Sequence, residues 1–202
     1  MNTAILLASA SPRRQELLTR MGLSFTVCPA ELDESRWDGL PPQDLVESLS
    51  QAKGEIVAAS APAGTLVIAA DTVVVLDGQV LGKPRDEAEA ASMLARLSGH
   101  THEVYTGLSI RRDALVCTTH QITSVRFRSL TEEDIARYVK TGEPMDKAGA
   151  YGIQGYGAML VSIISGDYFN VMGLPVCLLA QLLTTQFGLD PLALAAESST
   201  FS

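Results

Sequence analysis

The chain is 202 residues long, with 47% hydrophobic and 19% charged residues and a formal net charge of −8 at pH 7. This is an ordinary globular composition, with length enough for one domain and a sizeable core. The acidic balance argues against a nucleic-acid or membrane-surface partner, and it makes any local cluster of Arg and Lys informative.

Cys28, Cys117 and Cys177 are far apart and form no C-x-x-C pair. They suggest neither a disulfide framework nor a zinc site, and they suit a reducing compartment. Met1-Asn2-Thr3 lacks the basic start of a secretory signal, and the longest apolar runs are too short to span a bilayer. The cytoplasm is the expected setting. Residues 1–190 are expected to form a single domain and residues 191–202 a frayed tail.

In chain order, Ala4 to Ala8 is a continuous apolar run, as in a strand buried on both faces. Ser11 suits a helix N-cap and Pro12 the first helical position; Leu17, Leu18 and Met21 give that helix an apolar side, and Gly22 stops it. Ser24 to Cys28 alternates like a second strand, and a polar loop with Asp33 and Glu34 follows. Pro42 to Ser60 reads as a long helix with Leu45, Leu49 and Ile56 on one stripe. Lys53 falls on the same stripe, where an ammonium needs an anion or an exit to water.

Thr65 to Ala70 is another buried-strand run, with Asp71 at its C-terminal end. Val73 to Leu76 and Gln79 to Leu81 flank Asp77-Gly78, a strong hairpin signal, and the hairpin delivers Gly82-Lys83-Pro84. Asp86 caps the next helix with Glu89 as its capping-box partner, and Gly99 ends it. Two long strands are expected over residues 101–111 and 115–128, turning around Arg112-Asp113. Thr131 and Asp134 start a helix that ends near Gly142. The glycine-rich stretch "EPMDKAGAYGIQGYG" is unlike any regular element. Met159 to Ile164 and Tyr168 to Met172 look like a hairpin through Gly166-Asp167, and Leu174 to Phe187 like a final helix with Pro175 near its start. The early β-α-β-α-β alternation suggests parallel pairing and the later hairpins antiparallel pairing. The expected fold is therefore α/β, a mixed sheet with helices on its faces.

Several side chains stand out against this frame. Arg13 and Arg14 sit where a helix dipole repels cations. Either an anion such as phosphate binds that helix end, or both arginines are simply solvated. Lys83 can be a surface lysine or a further anion contact. Asp71, after a buried strand, suits a general base, a metal ligand or a turn cap. Asp33-Glu34 can supply a second carboxylate. Together, the cations suit a polyphosphate and the carboxylates suit Mg²⁺, with one carboxylate activating water. No Walker-type phosphate loop is present, and His100, His102 and His120 have no H-x-x-x-H spacing.

Four blocks, "LASASPRRQELL", "AADTVVVLDGQVLGKPRD", "ARLSGHTHEVYTGL" and "DKAGAYGIQGYGA", resemble the Maf family of nucleotide pyrophosphatases. The resemblance runs in order from about residue 4 to residue 187. It implies a mixed α/β fold of the Maf and Ham1 kind, with an elongated twisted sheet, flanking helices and a deep nucleotide-binding cleft. It also implies hydrolysis of nucleoside triphosphates to monophosphate and pyrophosphate, assisted by Mg²⁺ or Mn²⁺. Ser11-Pro12-Arg13-Arg14, Ala70-Asp71-Thr72 and Tyr151-Gly152-Ile153-Gln154-Gly155 match the branch that acts on dTTP and UTP. The branch acting on 7-methyl-GTP has a tryptophan after Ser-Pro, a Gln after the Asp and Ser-Glu-Gly in the late loop.

On this resemblance Asp71 is the catalytic group and shares a divalent cation with Glu34. Ser9, Arg13, Arg14, Lys53 and Lys83 are implied to bind the triphosphate. Thr72 and Gln154, with Arg13, are implied to choose the base. The expected partner is a nucleoside triphosphate; a homodimer is suggested by the resemblance and required by no sequence feature. The rival expectation is a nucleotide-binding regulator of cell division with little catalysis, which would have no need of a water activator at Asp71 and Glu34.

Overall fold

The apolar runs of the first half become the central strands of a mixed sheet. In the computed structural model, residues 4–199 are described. The strands are β1 (Ile5–Leu7), β2 (Thr26–Val27), β3 (Leu66–Leu76), β4 (Gln79–Leu81), β5 (Thr101–Arg112), β6 (Leu115–Phe127) and β7 (Val161–Ser165). They pair in the order β2-β1-β3-β5-β6-β7, with β4 on β3. β1 is parallel to β2 and to β3; β4 on β3 and β7 on β6 are antiparallel. The helices are α1 (Pro12–Arg20), α2 (Pro42–Ala58), α3 (Glu87–Leu97), α4 (Glu132–Val139), α5 (Tyr168–Met172), α6 (Val176–Phe187) and α7 (Pro191–Ser199). Thus α7 takes up most of the stretch expected to fray, whose last three residues lie outside the described ones.

The chain falls into two compact units. The first is Met1–Asp71, Thr106–Gln121 and Gly173–Ser202; the second is Thr72–Tyr105 and Ile122–Met172. In the first unit, α2 covers the sheet with Val46, Leu49, Ser50, Gly54 and Val57. That face differs from the expected one: Ile56 is exposed and Leu45 only half-buried, because the buried stripe starts one residue later, at Val46. Gly107 explains how closely α2 approaches β5, since a Cβ there would stand 2.0 Å from the Val46 carbonyl oxygen. No side chain fits in that space.

Local signals hold where they are strong. Asp77 and Gly78 both have positive φ, 50° and 76°, as the tight hairpin turn between β3 and β4 requires. Thr131 and Asp134 form a full capping box on α4. Asp86 caps α3 by accepting from the Glu89 N–H, but Glu89 reaches back to Arg85 N–H and Nε instead of closing a box.

Three further expectations need correction. The strand expected over residues 24–28 is reduced to Thr26–Val27, both exposed at the sheet edge. Tyr168–Met172 is the short helix α5 and no hairpin partner of β7. Asp167 Oδ1 accepts the Phe169 N–H at 2.8 Å and turns the chain into the helix, overriding the β-propensity of Tyr, Phe and Val. Finally, β3 does not end at Ala70 but continues through Asp71 to Leu76.

The second unit has a buried aromatic cluster around His102, which is 1% exposed. Its ring meets Phe127 and Tyr151 edge-on, with centroids 5.1 and 5.4 Å away. Nε2 lies 2.9 Å from the Tyr151 hydroxyl, and Nδ1 has no hydrogen-bond partner. Burial pushes the imidazole down from 6.5 to about 4.

The unfolded chain takes up this proton at higher pH than the folded chain. Stability is therefore full above the unfolded value and falls as pH drops toward the folded one, by about 3 kcal/mol in all. His102→Gln is expected to flatten this part of the profile. Urea unfolding at a series of pH values between 7 and 4 checks it; equal pH slopes in variant and wild type would contradict it.

Candidate active site

The site in the first unit is built on the ends of β1 and α1, the middle of β3 and the inner face of α2. Asp71 is inside β3, not at its end, yet β1 pairs with β3 only as far as Leu7 opposite Ile68. Asp71 therefore lies beyond the carboxyl end of its parallel neighbour, three residues further along the strand. That is where an open parallel arrangement leaves room for a ligand. The residue is 9% exposed.

Lys53, half-buried on the inner side of α2, has the anion partners that an ammonium so placed demands, and they are two carboxylates. Its Nζ is 2.6 Å from Asp71 Oδ1 and 2.7 Å from Glu34 Oε1. The side chains of Lys53 and Asp71 are only 15% and 13% exposed, whereas Glu34 is 54% exposed. The first contact is thus a largely desolvated ion pair and the second a rim contact. Glu34 opens a short 3-10 turn, Glu34–Trp37, and Asp33 caps it by accepting from Ser35 N–H and Oγ. Of the two adjacent acids, Glu34 therefore faces the site and Asp33 holds the turn; the Ser35 hydroxyl bond lowers the Asp33 pKa.

Arg13 and Arg14 both lie in the first turn of α1, which has no acidic residue, and Ser11 makes no side-chain capping bond. Arg14 is tied inward: Nε donates to the Gly173 carbonyl at 2.8 Å and Nη1 to Ser9 Oγ at 3.0 Å. Burial lowers its pKa, opposed by the Asp71 charge and reinforced by Arg13, while Glu34 raises it. Ser9 Oγ also accepts the Ser11 N–H at 3.2 Å. Both acceptor positions of the hydroxyl are then used, so its own O–H is left as a donor suited to an anionic oxygen.

The structure thus gathers Ser9, Arg14, Glu34, Lys53 and Asp71, with Arg13 on the same helix turn. The other expected residues belong to the second unit. Thr72 follows Asp71 on β3, half-buried. Lys83 is exposed, just after β4. Gln154 is exposed at the tip of the turn Ile153-Gln154-Gly155. What the sequence did not reveal is the use of Arg14 as a tether for Ser9; only the nearness of two basic residues to a serine hinted at it.

Two carboxylate oxygens around one cationic point fit a divalent ion that takes its remaining ligands from water and substrate phosphates. Among the described residues no cluster of three or more His, Cys, Asp or Glu is arranged to hold a metal.

The family model described as Maf-like protein matches residues 4–186. A dTTP/UTP pyrophosphatase of Moorella thermoacetica is 55% identical over 188 residues, covering 92% of this chain and 96% of that protein. Another, from Symbiobacterium thermophilum, is 53% identical over 184 residues, covering 91% and 94%. A third, from Clostridioides difficile, is 48% identical over 188 residues, covering 92% and 96%.

Removing one partner of a buried ion pair strands the other. Lys53→Met is expected to destabilise the fold by about 3 kcal/mol, and Lys53→Met with Asp71→Asn to cost less than the sum of the two singles by at least about 1 kcal/mol. Urea midpoints for the four proteins give the coupling; strict additivity would show that the two side chains do not act as a pair.

Proposed function

The chain belongs to the Maf family, and we propose that it hydrolyses dTTP and UTP to the monophosphate and pyrophosphate. The observation that carries the reaction is the desolvated Asp71 carboxylate held 2.6 Å from the Lys53 ammonium, with Glu34 on the same nitrogen. The preference for dTTP and UTP rests on the relatives that bear that name. A purely regulatory nucleotide binder is not favoured, since those relatives are named for catalysis.

In this reading a water oxygen attacks the α-phosphorus, and the bond from that phosphorus to the bridging oxygen of the pyrophosphate breaks. Asp71 takes the proton from the attacking water. Lys53 has three N–H donors, of which two meet Asp71 and Glu34, and the third serves a phosphate oxygen. Arg13, Lys83 and the Ser9 hydroxyl bind further phosphate oxygens. Arg14 holds Ser9 in place for this task. Asp71 and Glu34 would hold a Mg²⁺ or Mn²⁺ ion, which supplies charge neutralisation for the triphosphate. The three free cysteines fit a reducing cytoplasm as the setting.

Base choice is assigned to Thr72 and Gln154 with Arg13. A uracil or thymine ring offers a carbonyl and an N3–H side by side, and one amide pairs with both. Cytosine presents an acceptor at N3 and an amino donor, so the same amide orientation opposes it. A site that hydrogen-bonds one edge rejects analogues that leave its polar groups unpaired.

Pyrophosphate release from dTTP, UTP, CTP, ATP, GTP and 7-methyl-GTP with Mg²⁺ or Mn²⁺ is the test. Fast turnover of dTTP and UTP, slower turnover of CTP and little of the purines is expected. Preference for GTP or 7-methyl-GTP would overturn the substrate, and release from none of them would favour the regulator. Asp71→Asn is expected to slow dTTP turnover by about 10²–10⁴-fold while the protein stays folded. A near wild-type rate would remove Asp71 from the chemistry.

A further inference from the structure

The glycine-rich stretch, expected to hold no regular element, contains short 3-10 helices, and the turn that carries Gln154 runs straight into one of them, Tyr156–Leu160; both ends of the turn lead to one carboxylate. Glu143 Oε2 accepts the Tyr156 N–H at 2.8 Å, and Oε1 accepts the Gly157 N–H at 2.9 Å. The Tyr138 hydroxyl donates to Oε1 at 2.8 Å and itself accepts the Gly152 N–H at 3.0 Å. Gly152 lies before Ile153-Gln154-Gly155 and Tyr156 and Gly157 lie after it. The Glu143 carboxylate is therefore the knot that closes the loop on either side of Gln154.

The fit leaves no slack. A Cβ at Gly155 would stand 2.2 Å from Glu143 Oε2, and one at Gly152 would stand 2.6 Å from Lys147 Cε. Lys147 Nζ in turn donates to the Glu143 carbonyl at 2.7 Å, fixing the backbone of the residue that holds the loop. Burial raises the Tyr138 pKa, so its hydroxyl keeps the proton it gives to Glu143. The anion accepts three donors, two of them backbone N–H groups at the start of the 3-10 helix Tyr156–Leu160.

We propose that Glu143 is a positioning residue for base choice: it fixes the direction of the Gln154 amide without touching the nucleotide. This rests on the assignment of Gln154 to the base. A donor and an acceptor discriminate one pyrimidine edge from another only if they are held in one orientation, and the knot is what holds them.

Glu143→Gln puts an amide donor where backbone N–H groups need an acceptor, with little change of shape. The experiment measures kcat and KM for UTP and CTP, together with inhibition by inorganic triphosphate, which has no base. Circular dichroism confirms that each protein is folded. The expected result is a fall of about tenfold in the UTP:CTP ratio of kcat/KM, the effect of one polar group losing its partner, carried mainly by KM for UTP. Inhibition by triphosphate should stay as in wild type. Tyr138→Phe, which removes one donor and keeps the carboxylate, should move the ratio the same way by less, and it decides the matter if Glu143→Gln does not fold. An unchanged ratio overturns the inference. So does a parallel loss of UTP turnover and triphosphate binding, the mark of a carboxylate that only supports the fold. A wild-type protein without preference for UTP over CTP overturns instead the assignment of Gln154 on which the inference stands.

Discussion

One ammonium nitrogen in contact with two carboxylates constrains the first unit more than any other interaction. Lys53 comes from α2, Asp71 from β3 and Glu34 from the turn between β2 and α2, so three separated segments must meet at a single point. A carboxylate as buried as Asp71 is costly to leave desolvated without a partner, and so is the ammonium of Lys53. Each tolerates its place because of the other. The pair is worth little as a source of net stability, since desolvation offsets most of the attraction. What it does is hold a carboxylate, with its counter-charge already in position, at a spot only slightly open to solvent.

The rest of the first unit serves that meeting. Gly107 lets α2 lie against β5, which fixes the depth of Lys53 relative to the sheet. β1 stops at Leu7 while β3 runs on, which leaves Asp71 without a parallel neighbour on that side. Arg14 bridges the Gly173 carbonyl and Ser9 Oγ, so the loop after β1 is tied down and the Ser9 hydroxyl keeps its own proton to donate. The second unit is built on different means. The turn that carries Gln154 hangs on a carboxylate and a phenol, and the core of this unit includes a histidine kept neutral by burial.

How much of this can be read from the sequence depends on the range of the interaction. The Asp77-Gly78 turn, the Thr131–Asp134 box and the stop at Gly22 are settled within a few residues, and the sequence shows them. Lys53 is conspicuous because a charge interrupts an apolar stripe, and it does have its anions. Asp71 is read as the end of a strand because a carboxylate breaks an apolar run; the backbone ladder, which does not depend on side-chain polarity, continues for five more residues. Tyr168–Met172 carries strand-forming residues and is turned into a helix by Asp167. Glu143 is not legible, because its partners are backbone N–H groups 13 and 14 residues away. No residue type marks such groups.

On the proposed function, water attacks the α-phosphorus of a pyrimidine nucleoside triphosphate. Turnover of UTP in ¹⁸O-labelled water, with both products analysed by mass, tests it most directly. One labelled oxygen in the uridine monophosphate and none in the pyrophosphate is expected. Label in the pyrophosphate, or release of orthophosphate in its place, would mean attack at another phosphorus and would contradict the account.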